Sequence, residues 1–457
     1  MIVHGFELLR EQVIPELNTT GKLYRHAKTG AELLSLENAD ENKVFGINFR
    51  TPPSDSTGVA HILEHAVLCG SRKYPVKEPF VELIKGSLQT FVNAMTYPDK
   101  TCYPVASQNT QDFYNLIDVY LDAVLYPRLT PHILEQEGWH YELDVVDAPL
   151  TYKGVVFNEM KGVYSSPDSV LSEQSQQSLY PNNTYGLDSG GNPSNILDLT
   201  FAQLKGFHET FYHPSNARIF FYGDDEPEQR LRLIDEYLRD FDRREIDSEV
   251  ALQPPFAEPR RLRRTYAGVQ QDGEKKSMVT LNWMFAERPN AETGLGLAIL
   301  NYLLIGTPAA PLRKALIDSG LGEDLTGAGL VESLRQQMFS TGLKGIDEND
   351  AGEVEALVLQ TLGQLAQQGI DPDTVAAALN MVEFSMRENN TGSFPRGISL
   401  MLHALNEWLY GGDPFASLAF DAPLSAVKAR VAGGERFFES LIVRYLLDNP
   451  HRTTVVL

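Results

Sequence analysis

Thr57-Gly58-Val59-Ala60-His61-Ile62-Leu63-Glu64-His65-Ala66-Val67-Leu68 is the stretch on which the reading of this chain turns. Its apolar residues Ile62, Leu63, Val67 and Leu68, with Gly70 just beyond, predict a buried helix from about Val59 to Leu68. On that helix His61 and His65 stand four residues apart and project from one face, so both imidazoles can bind one ion at roughly 2.0–2.1 Å. Glu64 sits on the adjacent turn, within reach of a water on the same ion. The chain has only 10 His in 457 residues, so such spacing rarely arises by chance. A buried polar cluster is also costly unless something satisfies it.

This order, His-x-x-Glu-His, is that of the inverzincin metallopeptidases. A catalytic zinc site needs a third protein ligand and a fourth position for water. Cys69, one more four-residue step along, is eight residues from His61, which separates their backbones by about 12 Å along the helix axis. Three side chains so placed cannot converge on one ion, and Cys69 reads as a small core residue. The third ligand is therefore expected to be a carboxylate from elsewhere. The sequence by itself leaves Glu82, Glu135, Glu137, Glu142 and Glu159 open.

Outward from this helix, Lys22 to His26, Leu33 to Leu36 and Val44 to Arg50 read as strands, with turns at Lys28-Thr29-Gly30 and Asn38 to Asn42. Phe80 to Ile84 reads as a short helix. Thr90 to Thr96 and Thr101 to Val105 read as strands about the turn Tyr97-Pro98-Asp99-Lys100, and Asp112 to Leu125 as a helix closed by Pro127. From about Asp242 the pattern lapses into polar residues, then Pro254, Pro255 and Pro259, then the basic Arg260 to Arg264, which suggests a linker. Beyond it come a strand over Ser277 to Phe285 and an apolar helix over Thr293 to Ile305, ended by Gly306 and Pro308. The expected organisation is a zinc-binding domain over 1–245, a linker over 246–264 and a second, metal-free domain over 265–457. Each domain is expected to be α+β, a mainly antiparallel sheet covered on one face by helices.

The halves echo each other. Phe207 to Tyr212 leads through His213-Pro214-Ser215-Asn216 into the strand Ala217 to Tyr222, as Phe437 to Leu447 leads through Asp448-Asn449-Pro450 into Thr453 to Leu457. Aligning Gly70 with Gly306 places Leu297, Leu300 and Asn301 where His61, Glu64 and His65 stand, so only the first copy carries the polar cluster.

Apolar residues at 42%, charged at 22% and aromatic at 10% are those of an ordinary soluble globular protein. No apolar run approaches the roughly 18 residues that span a bilayer. Met1 to Glu16 has neither the apolar core of a signal peptide nor the Arg- and Ser-rich character of a transit peptide, so a bacterial-type cytoplasmic location is the simplest expectation. Two cysteines are too few to staple a chain of this size. A formal net charge of -22 argues against nucleic acid or an anionic membrane as partner and suits a cationic substrate. Ser189-Gly190-Gly191-Asn192-Pro193 lacks the Gly-Lys-Ser/Thr ending of a phosphate cradle and reads as a loop.

His61 to Tyr74 (His-Ile-Leu-Glu-His-Ala-Val-Leu-Cys-Gly-Ser-Arg-Lys-Tyr) and Gly154-Val155-Val156-Phe157-Asn158-Glu159-Met160-Lys161-Gly162 closely resemble the presequence proteases. These form a branch of the pitrilysin and insulin-degrading (M16) family. Tyr212 to Arg218 and Leu312 to Gly322 match as well, so the resemblance spans nearly the whole chain. It implies an M16 metallopeptidase-like fold, one Zn2+ per chain held by His61, His65 and Glu159, and Glu64 as the general base. It also implies an edge strand beside the zinc, with Phe91, Val92, Asn93, Ala94 and Met95 binding substrate. The implied activity is that of a zinc metalloendopeptidase acting on unfolded peptides such as targeting presequences, in the mitochondrial or plastid matrix for organellar relatives. The family carries a second, catalytically silent half that closes over the peptide and supplies an Arg and a Tyr; nothing here matches it. The chain thus looks like the N-terminal half, partnered by a C-terminal half in cis or as a separate chain, and is expected to bind zinc but to cleave poorly alone. The competing readings are a non-catalytic scaffold subunit and a peptide-binding module acting through the edge strand. The presence of His61, Glu64, His65 and Glu159 together favours the enzyme.

Overall fold

A computed structural model describes residues 2–76, 83, 85–267, 276–286 and 289–457. Apart from Leu83, the helix expected at Phe80 to Ile84, and with it Glu82, lies outside the described residues. The chain forms two compact units. One comprises Met1–Lys161, Leu187–Val250 and Asn390–Ala419; the other comprises Gly162–Gly186, Ala251–Asn389 and Phe420–Leu457. This differs from the single crossing at 246–264 expected from the sequence, because each unit takes one stretch from the other half of the chain.

The first unit contains β1 (Ile2–Val3), β2 (Phe6–Ile14), β3 (Thr19–His26), β4 (Glu32–Glu37), β5 (Lys43–Arg50), β6 (Gln89–Val92), β7 (Met95–Thr96), β8 (Lys100–Ser107), a hairpin of β9 (His140–Glu142) with β10 (Thr151–Lys153), and β11 (Ala217–Gly223). Its main sheet runs β1-β2-β3-β4-β11-β5-β8-β6, with β7 also on β8. Its helices include α1 (Val59–Val67), α2 (Thr110–Leu125), α3 (Pro131–Glu137) and α4 (Val155–Tyr164). The central strands β5 and β8 are buried almost throughout because both faces are covered, so their middle residues, Val44 to Ile47 and Cys102 to Ala106, are without charge and polar side chains gather toward their ends. On one face Phe45 and Tyr103 meet Phe221 and Tyr120 at ring distances of 5.1 and 6.5 Å, and Phe113 of α2 packs on Phe221. On the other, Leu34, Leu36, Val44 and Phe220 pack against Ile398, Met401, Leu405 and Trp408 of the helix Arg396–Trp408. Met401 lies directly over Gly46, where a Cβ would collide with its sulfur. The single covered face expected from the sequence is thus a doubly covered one.

The strand expected at Thr90 to Thr96 is divided into β6 and β7, with Asn93 and Ala94 between them. The register nevertheless runs through: Val92 faces Val105, Met95 faces Cys102, and Asn93 N donates to Pro104 O at 3.4 Å.

The second unit holds β12 (Arg260–Arg263), β13 (Ser277–Met284), β14 (Asp324–Val331), β15 (Met338–Ile346) and β16 (Arg452–Val456), in the order β12-β16-β13-β15-β14. Arg260–Arg263, assigned to the linker on charge and neighbouring prolines, is therefore a strand; its residues pair with Thr453 to Val456, so they belong to the sheet. One face carries the apolar core, with Leu281, Trp283, Leu297, Leu300, Phe339 and Leu343. Over the other lies the helix Pro167–Leu179, whose Ser175 and Ser178 hydroxyls meet Thr280 and Thr453 at 2.8 and 2.6 Å.

The duplication read from the sequence has a counterpart in this topology. β11 runs parallel to β4 and antiparallel to β5, just as β16 runs parallel to β12 and antiparallel to β13. Each turn asparagine makes the same pair of bonds. Asn216 Nδ2 donates to Arg50 O at the end of β5 and to Phe211 O in the preceding helix, at 2.8 and 2.9 Å. Asn449 Nδ2 donates to Met284 O at the end of β13 and to Tyr445 O in the preceding helix, at 2.9 and 3.0 Å.

Candidate metal centre

Helix α1 starts at Gly58, in the left-handed region at φ 70°, and buries Val59, Ala60, Ile62, Leu63, Ala66 and Val67. A Cβ on Gly58 would lie 2.8 Å from Gly190 O, so the chain can bring the loop carrying Gly190 against the helix only with glycine there. The buried stripe leaves His61 and His65 half-buried on the opposite side, their rings 5.1 Å apart. Helix α4 is anchored by the buried Val156, Phe157 and Met160, which leaves Glu159 on its outer face with half of its side chain exposed.

The three side chains converge. Glu159 Oε2 lies 3.8 Å from His61 Nε2 and 3.9 Å from His65 Nε2, and one ligand atom from each residue can be chosen with all three within 4.8 Å of one another. Tetrahedral coordination at about 2.0–2.2 Å brings ligand atoms to about 3.4 Å apart, so shifts of roughly half an ångström to an ångström and a half suffice for an ion to bind. Both remaining imidazole nitrogens are engaged. His61 Nδ1 is 3.0 Å from Gly190 O and His65 Nδ1 is 3.3 Å from Glu137 Oε2. Carbonyl and carboxylate oxygens only accept, so each Nδ1 is the donor and each Nε2 lone pair faces Glu159. The donor set and its orientation fit a divalent cation with nitrogen and oxygen ligands.

Glu64 is 7% exposed and takes a 2.6 Å hydrogen bond from Thr96 Oγ1 at its Oε2. Burial lifts its carboxyl above the usual carboxylate range; Glu159 adds to this, while the Thr96 hydroxyl and the two imidazoles oppose it. Burial works against a protonated His65, yet the Glu137 hydrogen bond and the Glu64, Glu137 and Glu159 carboxylates outweigh it and raise its pKa. Burial likewise opposes ionisation of Glu137, and hydrogen bonds from His65 and Gln136 still hold its carboxyl below the usual range.

Residues 50–165 match the insulinase (peptidase family M16) profile, and residues 198–382 match that of the peptidase M16 inactive domain. Over 99% of its length the chain is 55% identical to presequence protease 1, chloroplastic/mitochondrial, of Arabidopsis thaliana, covering 42% of that protein. The chain belongs to peptidase family M16. It is also 46% identical to protein HypA of Clostridium perfringens, across 100% of its own length and 47% of that protein. It thus spans less than half the length of these curated relatives. A protease from Helicobacter pylori of solved structure shares the fold with a TM-score of 0.68 at 17% identity, covering 94% of this chain and 97% of the other. Membership of a metallopeptidase family implies a metal cofactor.

Among the other acids considered from the sequence of this M16 chain, Glu135 pairs with His132 and Glu142 with His140 and Lys153. Glu137 reaches the cluster, but on the far side of the His65 ring. Cys69 Sγ contacts Glu137 Oε1 and His65 O at 3.4 and 3.5 Å. Sequence reasoning missed Glu137 as a partner of His65, Gly190 as a partner of His61, and Thr96 as a partner of Glu64. Gly190 acts through its carbonyl, which no side-chain pattern announces, and Ser189 to Pro193 reads from sequence only as a loop. Among the described residues no helix is long and apolar enough to cross a membrane.

Proposed function

We propose that this chain is the metal-bearing half of a zinc metalloendopeptidase that hydrolyses unfolded peptides, targeting presequences among them. The observation that carries this reading is the meeting of His61, His65 and Glu159, the last from a separate helix, beside a buried carboxylate. His61 Nε2, His65 Nε2 and the Glu159 carboxylate hold one Zn2+ per chain. Bound there, zinc acidifies a water toward a pKa of about 7 and polarises the scissile carbonyl. Glu64 is the general base: with Oε2 held by Thr96, its Oε1 takes a proton from the attacking water and delivers it to the leaving amine.

The substrate lies along β6 and β7, which form one side of the sheet. Asn93 N and Tyr97 N turn inward to Pro104 O and Lys100 O. By alternation the backbone groups of Val92, Ala94 and Thr96 face outward, where an extended peptide adds as a further strand. Phe91 and Met95 pack against the cluster around Met401, and the Phe91 ring meets Phe394 at 5.3 Å. Of the five residues assigned to substrate, these two therefore shape the strand, Val92 and Ala94 offer their backbone to the peptide, and Asn93 between them is held by its own backbone to Pro104 O and Tyr120. Main-chain recognition of this kind asks for unfolded substrate and little sequence.

Because the chain spans less than half of its relatives, a second reading is that the isolated chain binds peptide and needs the remaining half to cleave it. One experiment tests both. The chain and its Glu64→Gln variant are assayed for zinc content and for cleavage of an unstructured presequence-like peptide, with and without the remaining half supplied. The proposal expects zinc in both proteins and turnover lost by about 10²–10⁴-fold in the variant. A zinc-free chain, or equal turnover by both, contradicts it.

A further inference from the structure

Glu137 ends α3 and is only 6% exposed. Its Oε2 faces His65 Nδ1 at 3.3 Å, while its Oε1 receives Gln136 Nε2 at 2.8 Å and Cys69 Sγ at 3.4 Å. Among the described residues its only ion-pair partner is His65, so no Lys or Arg answers this buried charge. A buried carboxylate is expensive to keep without a positive partner. Gln136 and Cys69 are neutral, and His65 is the one group present through which positive charge can reach it. The other ligand histidine is treated differently: His61 Nδ1 meets the neutral Gly190 carbonyl. A carboxylate on one imidazole and a carbonyl on the other give the two histidines unequal electron donation.

We propose that Glu137 is a positioning residue of the metal centre. It keeps the His65 proton on Nδ1, aims the Nε2 lone pair at the ion shared with Glu159, and by its charge makes His65 the stronger of the two nitrogen donors. Glu137 binds no metal itself. The inference rests on the metallopeptidase reading above and assigns to a residue outside the ligand set the control of how tightly the metal is held.

The test reads metal affinity rather than turnover. The chain is stripped with a chelator and titrated with Zn2+ in competition with a chromophoric chelator, alongside E137Q, E137D and E135Q. Replacing such an outer partner is expected to weaken zinc binding by about 10–100-fold in E137Q. E137D, which keeps the charge but retracts it by one methylene, should fall in between. E135Q alters an exposed residue of the same helix that pairs with His132, and it should bind as the wild type does. Melting of the metal-free proteins supplies the discriminating readout. A purely structural Glu137 would lower the metal-free Tm of E137Q and leave affinity alone, whereas a positioning role leaves that Tm unchanged or raised while affinity drops. Wild-type affinity in a folded E137Q overturns the inference; if E137Q does not fold, wild-type affinity in E137D does so. A wild-type chain that binds no zinc overturns the metal reading itself and this inference with it.

Discussion

Helix α1 and the helix Ala291–Ile305 each follow the antiparallel neighbour of the last strand in sheets of matching order, yet they are filled in opposite ways. Where the first presents His61, Glu64 and His65, the second presents Leu297, Leu300 and Asn301. Leu297 and Leu300 sit in the apolar core, where a buried leucine contributes about 1.5–3 kcal/mol. Asn301 Oδ1 accepts a 3.0 Å bond from Leu330 N and so ties the helix to β14. The first unit forgoes that apolar burial and keeps the Glu64 carboxylate buried instead. The fold therefore does not require polar residues at this station; it accommodates leucine there without change of topology. The residues that depart from the packed solution are the ones assigned to chemistry.

The sharpest way to break this contrast is to move the acid. Leu300→Glu places a carboxyl in a core with no counterpart of Thr96 or the imidazoles, and should destabilise the chain by about 3–5 kcal/mol in urea unfolding. A change under 1 kcal/mol would show the two stations to be more alike than described. The reverse exchange, Glu64→Leu, should raise the stability of the metal-free chain by about 1–3 kcal/mol while abolishing peptide cleavage, as expected of a group kept for chemistry at a cost to packing.

A smaller pair of changes tests the equivalence of the two units. Asn216→Ala and Asn449→Ala each strip a turn of three side-chain hydrogen bonds, the shared pair to the sheet and the preceding helix plus one accepted by Oδ1 from Ser248 Oγ or His451 N, and each should cost about 1–3 kcal/mol by the same measurement. Markedly unequal losses would weaken the case for duplication.

The smallest expected effect concerns pH. His213 and His451 occupy the two turns, and each is pushed down from 6.5 to about 4, chiefly by burial, with Arg244 and Arg260 respectively adding to it and the Leu179 carbonyl opposing it at His451. A histidine with a lowered folded pKa binds fewer protons folded than unfolded between those values. Its stabilising contribution is thus complete above about pH 6.5 and is lost as pH falls toward 4. Protonation of His451 also breaks the 3.0 Å bond that its Nδ1 accepts from Phe256 N. In the presence of chelator, His451→Gln should lose less Tm between pH 7 and pH 5 than the wild type does; equal losses would assign the acid sensitivity elsewhere.

What was legible in the sequence was whatever acts through periodicity or through side-chain identity. The apolar runs of β4 and β5, the α1 helix and its His-x-x-Glu-His spacing, and the helix–turn–strand repeat around Asn216 and Asn449 all fall in that class. The proposed third ligand was not legible from spacing, because Glu159 comes from a helix nearly a hundred positions away, and resemblance alone selected it. The exchange of covering helices was also hidden. Arg396–Trp408 and Pro167–Leu179 have apolar and hydroxyl-rich faces that fit a sheet, but nothing local says which sheet. The Arg260–Arg263 strand was masked by its charge, since an edge strand needs only its backbone to pair.

The most direct test of the central claim is an anomalous difference map, collected at the zinc edge, from crystals of the chain grown with Zn2+. The account predicts one peak per chain, bounded by His61 Nε2, His65 Nε2 and the Glu159 carboxylate, with Glu64 adjacent but outside bonding distance. No peak there, or a zinc ion bound to the two imidazoles with Glu159 turned away, would contradict it.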